Sequence, residues 1–542
     1  MNIRNQKIAY QDTHSFSNIV LDYIHNAPSL HKYYTHVPSV SSLHDAILQK
    51  KISTNTRHTL VTVLKQQYKA ITLTSEVAHN IDALLLNNTY TVCTAHQPNI
   101  CTGHLYFVYK IAHTIQLART LAASYPSYNF VPVYYMGTED ADKEELNNIT
   151  IHGQQLVWHT TQQGAFGSMV VDEQLIGLIN SVAALLQHEP HTQELVAALK
   201  AAYTLHTTIS DATRVLVHSL FGTHGLVILD GNDAMLKAQY KHVLIAEITH
   251  QASHNIVNST SAELATIYKA QAHSRPINLF YLQPNSRERI LLQADGTYAI
   301  NNTSLVYTQA QLLNAIEATP ECYSPNVILR GLYQETILPN IAYIGGGGEL
   351  AYWLQLKALF AHYNVPLPVL ILRNSILLQS HKVATQWHAL GLGVAQLFEP
   401  LHHLEQQYIS LHTKHTLNTA AARKDIETIY RNISNNAVAI APTLEKHVLA
   451  LLKKQLNKLI ILDKKLLHAE KRNWANDLNR IRKIKALLFP NNTLQERADN
   501  LLPYYAQYGK AIIPMLIAES EAISNRFTII TLPEQKITNN PT

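Results

Sequence analysis

Apolar residues follow two different periods along this chain. Up to about residue 88 they recur three and four positions apart, as in "SLHDAILQKKI" and "TLVTVLKQQYKAI", which predicts a mainly helical lead-in. From residue 89, short apolar runs interleave with helical segments: "TYTVCTA" (89–95), "NFVPVYYM" (129–136), "GLVILD" (225–230), "INLFYLQ" (277–283), "NIAYIG" (340–345) and "LPVLIL" (367–372). Runs this uniformly apolar predict strands of an α/β fold, in a mostly parallel sheet covered on both faces. Their irregular spacing predicts insertions near 150–215 and 235–275.

From about residue 396 the texture becomes helical again. Leu444, Val448, Leu452, Leu456, Leu459, Leu466 and Ala469 form one stripe at coiled-coil spacing. Pro442 stands near the start of that run, where proline is tolerated. Two long helices joined by a short turn would make an antiparallel coiled arm over 396–490. The late run "NRFTIITL" (525–532) reads as a strand, so the segment 491–542 is expected to return to the core. The expected organisation is a lead-in (1–88), a core (89–395), an arm and a returning segment.

Composition narrows the class. Of 542 residues 46% are apolar and only 15% charged, so His, Asn, Gln, Thr and Tyr supply much of the polar surface. With 30 histidines, a His near any motif is weak evidence. The net charge of +5 does not by itself indicate nucleic acid, although bases outnumber acids from Lys446 to Lys485. Cys93, Cys101 and Cys322 are too few for a disulfide framework, which favours a reducing compartment. Neither an apolar signal region nor a membrane-spanning run is evident, so a cytoplasmic protein is expected.

Three stretches could carry chemistry. In "CTAHQPNICTGHLYFVYK", Cys93, His96, Cys101 and His104 have a spacing that permits zinc. Without a surrounding finger framework, and in so His-rich a chain, zinc is disfavoured. The cysteines can equally be packed residues, or Thr94, His96, Gln97, Thr102 and Gly103 can surround a ligand at the following helix N-terminus. "GTEDADKEELNN" places Glu139, Asp140 and Asp142 directly after a strand. Carboxylates there can hold an ammonium, bind Mg2+ or accept a proton, or Thr138 or Asp140 can simply cap a helix. "YIGGGGELAYWLQLK" runs a strand through four glycines, including Gly346 and Gly347, into a helix bearing Glu349. It lacks the Gly-Lys-Ser/Thr of a Walker A loop; a close backbone approach to a ligand and a plain tight turn both explain it. Nearby stretches supply Asn278, Arg287, Arg289, Arg330 and Gln334, and arginines suit carboxylate or phosphate binding.

The motifs also occur in a familiar order: "TAHQPNICTGHLYFVYKI", "PVYYMGTEDADKEE", "GAFGSM", "INLFYL…RERI", "LRGLYQETILPNIAYIGGGGELAYWLQLK" and "LQERADNLLPYYAQYG". The set resembles, over essentially the whole chain, the BshC family, the cysteine ligase of bacillithiol biosynthesis. The resemblance implies a Rossmann-like core with inserted connections, and a coiled-coil arm that mediates homodimerisation. It implies L-cysteine and glucosaminyl-malate as substrates. The matching motif residues are Thr94, Gln97, Thr102, Gly103, Glu139, Asp140, Asp142, Arg330, Gln334 and Glu349. Ala95 replaces a usual glycine, His104 a usual proline and Ser168 a usual arginine, which puts an anion contact at Ser168 in doubt.

Joining a cysteine carboxylate to a sugar amine forms an amide, and a free carboxylate is a poor electrophile. ATP or another nucleotide is therefore the economical activator, although no motif names the cofactor. His96, Glu139 or Asp142 could take the amine's proton, and Arg330 or Arg287 could meet the malate carboxylates. Two alternatives come from other classes: a synthetase-like RNA-binding protein using the basic helices, and a dimeric scaffold with a vestigial Rossmann site. Nucleic acid is disfavoured, because charge runs on long helices are usually solvated faces and stacking aromatics are sparse there.

Overall fold

Five of the apolar runs become parallel strands: β1 (Thr89–His96), β2 (Asn129–Met136), β3 (Val227–Asp230), β4 (Asn340–Gly345) and β5 (Val369–Leu372). In this computed structural model, which describes residues 4–534, they lie in the order β5-β4-β1-β2-β3, and every pairing is parallel. All of β4 and β5 is buried, as is all of β1 except its last residue, His96. That burial explains runs with no polar alternation. Helices Val40–Gln49 and Leu105–Ser124 bring Leu43, Ile47, Leu117 and Leu121 into one cluster with Val92, Ile344 and Val369. Each such side chain contributes about 1.5–3 kcal/mol when removed from water.

One predicted strand belongs elsewhere. Leu279–Gln283, from "INLFYLQ", is absent from the parallel sheet and pairs antiparallel with Ser286–Leu292 and with Tyr323–Pro325. Together with Tyr298–Ile300 and Val306–Tyr307 these make a second, five-stranded sheet. The reason is local. Gln283 pairs with Ser286 across the two-residue loop Pro284-Asn285, and Asn285 adopts a positive φ of 65°. Such a turn returns the chain at once, whereas a parallel strand needs a long crossover.

The span 150–215 holds helices Glu173–Leu185, Thr192–Ala202 and most of Ile209–Phe221, and the span 235–275 holds most of Ala234–His250 and all of Ala252–Leu264. The lead-in is helical except for a strand, Arg4–Ala9, which pairs antiparallel with the late strand Arg526–Leu532. The chain divides into two compact bodies. One contains the residues up to Gln11, Ser15–Leu378 and Thr493–Pro533; the other contains Asp12–His14 and Gln379–Asn492.

In the second body, helices Ala420–Ile440 and Leu444–Asn473 pack on each other as a hairpin. Within the expected stripe Val448 is buried, and Leu452, Leu456, Leu459 and Leu466 are half-buried. Ile429, Ile433 and Ile440, spaced four and seven apart on the other helix, are 55%, 45% and 83% exposed. Among the described residues no helix is long and apolar enough to cross a membrane.

A buried ion pair fastens the lead-in to the core. Lys50 Nζ lies 3.3 Å from a Glu335 carboxylate oxygen and donates to the Glu335 carbonyl at 2.7 Å. The other carboxylate oxygen accepts from Asn340, at the start of β4, at 2.7 Å. Removing one partner of such a pair strands a charge and costs about 3–5 kcal/mol, whereas removing both is often tolerated. Urea unfolding is therefore expected to show a large loss of stability in Lys50→Met and a partial recovery in Lys50→Met/Glu335→Leu.

Candidate functional site

In the strand order β5-β4-β1-β2-β3, the chain leaves β1 toward β2 on one side, while β4 flanks β1 on the other. Loops at the carboxyl ends of β1 and β4 diverge at such a point and leave a crevice. A cavity of about 370 Å3 opens there. Its walls come from the ends of β1, β2, β4 and β5, from helices Leu105–Ser124 and Val327–Ile337, from the antiparallel sheet and from the segment after the arm.

The glycine-rich wall is organised by Glu349. Its Oε2 accepts from the Gly346 N–H at 2.8 Å and from Lys110 Nζ at 2.6 Å, and its Oε1 accepts from the Tyr343 hydroxyl at 2.6 Å. Lys110 also donates to the Ala95 carbonyl at the end of β1, at 2.6 Å. The helix that follows the glycines is thus capped by its own carboxylate. Burial works to raise the Glu349 pKa, but Lys110 and the three hydrogen bonds outweigh it and hold the carboxyl at about 2.

The acidic wall is the loop after β2. Gly137 N–H donates to the His96 carbonyl at 2.9 Å, tying this loop to β1. Asp140 accepts from Gln97 Nε2 at 2.9 Å and lies 3.7 Å from an Arg287 nitrogen. Glu139 is buried and ion-paired with Lys237, which also donates to Asn232 at 3.0 Å. The "GAFGSM" stretch supports the loop from beneath, with the Phe166 and Gly167 N–H groups donating to the carbonyls of Asp140 and Thr138 at 2.7 and 3.0 Å. A Cβ at Gly167 would come within 2.6 Å of Thr138, so the close approach requires glycine there.

His96 lies 5.3 Å from the Tyr106 ring and 5.4 Å from that of Phe107, centroid to centroid. Its Nε2 is buried and, among the described residues, has no hydrogen-bond partner. Burial, reinforced by the Lys110 charge, lowers its pKa to about 3, so the imidazole is neutral. Arg330 donates to the Tyr352 hydroxyl at 3.1 Å and to Gln334 Oε1 at 3.3 Å. Among the described residues it has no carboxylate within ion-pair reach. Arg373, by contrast, is held by both oxygens of Glu496 at 2.6 and 3.0 Å.

Of the residues singled out from sequence, His96, Gln97, Thr138, Glu139, Asp140, Arg287, Arg330, Gly346, Gly347 and Glu349 line this cavity. The others lie outside the lining. Thr94 donates to the Ile344 carbonyl at 2.8 Å, within the sheet. Thr102 is buried, and the turn it shares with Gly103 is held by Asn500, which donates to the Cys101 carbonyl at 2.9 Å and the Gly103 carbonyl at 2.5 Å. Asp142 lies just beyond the acidic wall, and its pKa is raised by Asp140 and then by burial. Asn278 is buried against Glu247 at 3.1 Å and Ser253 at 2.7 Å. Gln334 donates to Glu335 at 2.9 Å while touching Arg330. Cys93 and Cys101 are buried, and no group of three or more His, Cys, Asp or Glu among the described residues is placed to hold a metal ion. Ser168 lines a different cavity, beside Asn285 and Cys322.

Sequence reasoning passed over Lys110, Tyr106, Arg373 and Arg497, all of which line the cavity. Lys110 was the most legible, as the single charge in the apolar run "LYFVYKIAHTIQLA". Arg373 follows directly on β5, the position at which the other strands present their cavity residues.

Comparison with known proteins agrees with this fold. The model of the N-terminal Rossmann-like domain of BshC, of bacillithiol biosynthesis, matches residues 1–374, and that of the BshC C-terminal coiled-coil domain matches residues 376–532. The BshC protein of Flavobacterium johnsoniae, assigned as a cysteine ligase, is 37% identical over 527 residues, covering 97% of this chain and 99% of its own. Those of Christiangramia forsetii and Cytophaga hutchinsonii are 36% and 32% identical over 97% and 92% of this chain, and 98% and 94% of their own.

A carboxyl depressed from its ordinary 4.5 to about 2 contributes stability that is complete above pH 4.5 and is lost as pH falls toward 2. Glu349→Gln is therefore expected to lower stability at neutral pH and to flatten the acid limb of the stability curve. Denaturant midpoints measured across that window check this, and an unchanged acid limb would remove Glu349 from the account.

Proposed function

The chain belongs to the BshC family of bacillithiol biosynthesis, and we propose that its cavity joins the carboxyl group of L-cysteine to the amine of glucosaminyl-malate, forming an amide. The observation that carries this reading is the mixed character of one cavity. It combines an acidic loop suited to an ammonium with arginines suited to carboxylates. An amine-bearing dicarboxylate has both needs.

In this reading Asp140 attracts the substrate ammonium. His96, neutral and with an unpaired Nε2, accepts a hydrogen bond from the amine as its nitrogen attacks, and the proton released passes to a carboxylate of the acidic loop. Arg330 meets the malate end. A nucleotide, when bound, would supply the leaving group that makes the cysteine carboxylate electrophilic. The N-terminus after the glycines already holds the Glu349 carboxylate, so Arg373 and backbone groups of Gly347 and Gly348 are the candidates for phosphate contact.

The arm carries the second part of the proposal, a homodimer. The exposed stripe of Ile429, Ile433 and Ile440 would be covered by the same face of a second copy, a self-complementary contact. On the partner helix of the hairpin, the lysines that flank the Leu444–Ala469 stripe can lay their stems on apolar surface, which accounts for the basic run without nucleic acid.

Two outcomes test these proposals. Asp140→Asn is expected to lower kcat/KM for amide formation from cysteine and glucosaminyl-malate by about 100-fold, roughly 2.7 kcal/mol, with thermal stability unchanged. Full activity would exclude the loop, and accumulation of glucosaminyl-malate in a deletion strain would independently place the reaction. Light scattering on Ile429→Glu/Ile433→Glu should report a monomer; a dimer of unchanged affinity would put the contact elsewhere.

A further inference from the structure

One cavity wall comes from far along the chain, on the other side of the arm. Arg497 lines the cavity, although the N-terminal domain model ends at residue 374. The segment that carries it is fixed on both sides. Gln495 exchanges two hydrogen bonds with the Leu378 backbone, at 2.8 and 2.9 Å. Glu496 grips Arg373 and accepts the Ile376 N–H at 3.2 Å. Beyond Arg497, the Asp499 carbonyl accepts the Leu105 N–H at 2.8 Å, and Asn500 holds the turn before that helix.

Arg497 takes no part in this anchoring. It is exposed, and among the described residues its guanidinium has neither a hydrogen-bond partner nor a carboxylate within ion-pair reach. Most other cations of the cavity are already compensated: Lys110 by Glu349, Arg373 by Glu496 and Arg287 by Asp140. Arg330 is the second exception, bonded only to neutral groups. Two uncompensated guanidinium groups therefore share one cavity, one from the core helix and one from the returning segment.

We propose that Arg497 and Arg330 bind the two carboxylates of a dicarboxylate group on the substrate, with Arg497 as the specificity-determining residue that the C-terminal segment delivers. This rests on the reading above, in which that group is malate. A planar fork suits a carboxylate better than a point charge does, so lysine should replace Arg497 only in part.

The test is calorimetric titration of the full-length protein with two probes, glucosaminyl-malate and L-malate alone. Arg497→Gln is expected to weaken both by at least about tenfold, the loss of one charge-assisted contact, with Arg497→Lys intermediate and thermal unfolding unchanged in both variants. A methyl glucosaminide, which keeps the amine but has no carboxylate, used as a competitor should be insensitive to the substitution. If Arg497→Gln binds glucosaminyl-malate as tightly as the unaltered protein, this inference fails and the proposed ligation stands. If the unaltered protein binds L-malate through Arg497 but not glucosaminyl-malate, the dicarboxylate site stands and the ligation reading fails. Binding of neither probe overturns both.

Discussion

The ion pair between Lys110 and Glu349 is the contact on which the cavity depends. Lys110 rises from the helix after β1 and Glu349 from the helix after β4, so the pair spans the crevice between the two strands. Crevices of this kind exist because the loops on either side leave in opposite directions, and something must then fix the width of the gap. Here one ammonium holds both the Ala95 carbonyl at the end of β1 and the carboxylate that caps the glycine turn. A lysine this deeply buried is stable as a cation only because that carboxylate and carbonyl surround it.

That arrangement also explains a division of labour among the charges. The glycine turn offers amide groups and a positive helix end, features that elsewhere attract a ligand's phosphate. In this chain Glu349 occupies the turn, and the guanidinium groups without a carboxylate partner among the described residues stand further out. The acidic loop is treated differently: Glu139 is neutralised by Lys237, while Asp140 has a distant arginine, the Gln97 amide and the Ala141 N–H. Each wall thus combines one satisfied charge that builds the structure with one less satisfied charge that faces the cavity.

Much of this was legible in the sequence, and the rest was not for identifiable reasons. Strands buried on both faces announce themselves as unbroken apolar runs, and the acidic and glycine-rich loops were found because they follow such runs directly. "INLFYLQ" looked the same as its neighbours, but the two-residue turn after it placed it in another sheet. Thr94 and Asn278 sit at conspicuous positions for packing reasons, one stitching β1 to β4 and the other satisfying the buried Glu247. Lys110 and Glu349 are 239 positions apart, and no local period reports a partner at that distance. Arg497 lay in a motif whose neighbouring residues all serve anchoring, which concealed the one that does not.

The return of the chain after the arm has a consequence for synthesis. About 115 residues separate Leu378, where the core sheet body pauses, from Thr493, where it resumes. At translation rates of about 5–20 residues per second, the parallel sheet is made roughly 6–23 s before the segment that bonds to the ends of its strands emerges. During that interval Arg373 has no Glu496, the Leu378 backbone has no Gln495, and the turn at Gly103 has no Asn500. A nascent or prematurely terminated chain would therefore display open polar groups at the rim of the cavity. Such a rim is open to proteases and chaperones until the chain has been read through Asn500.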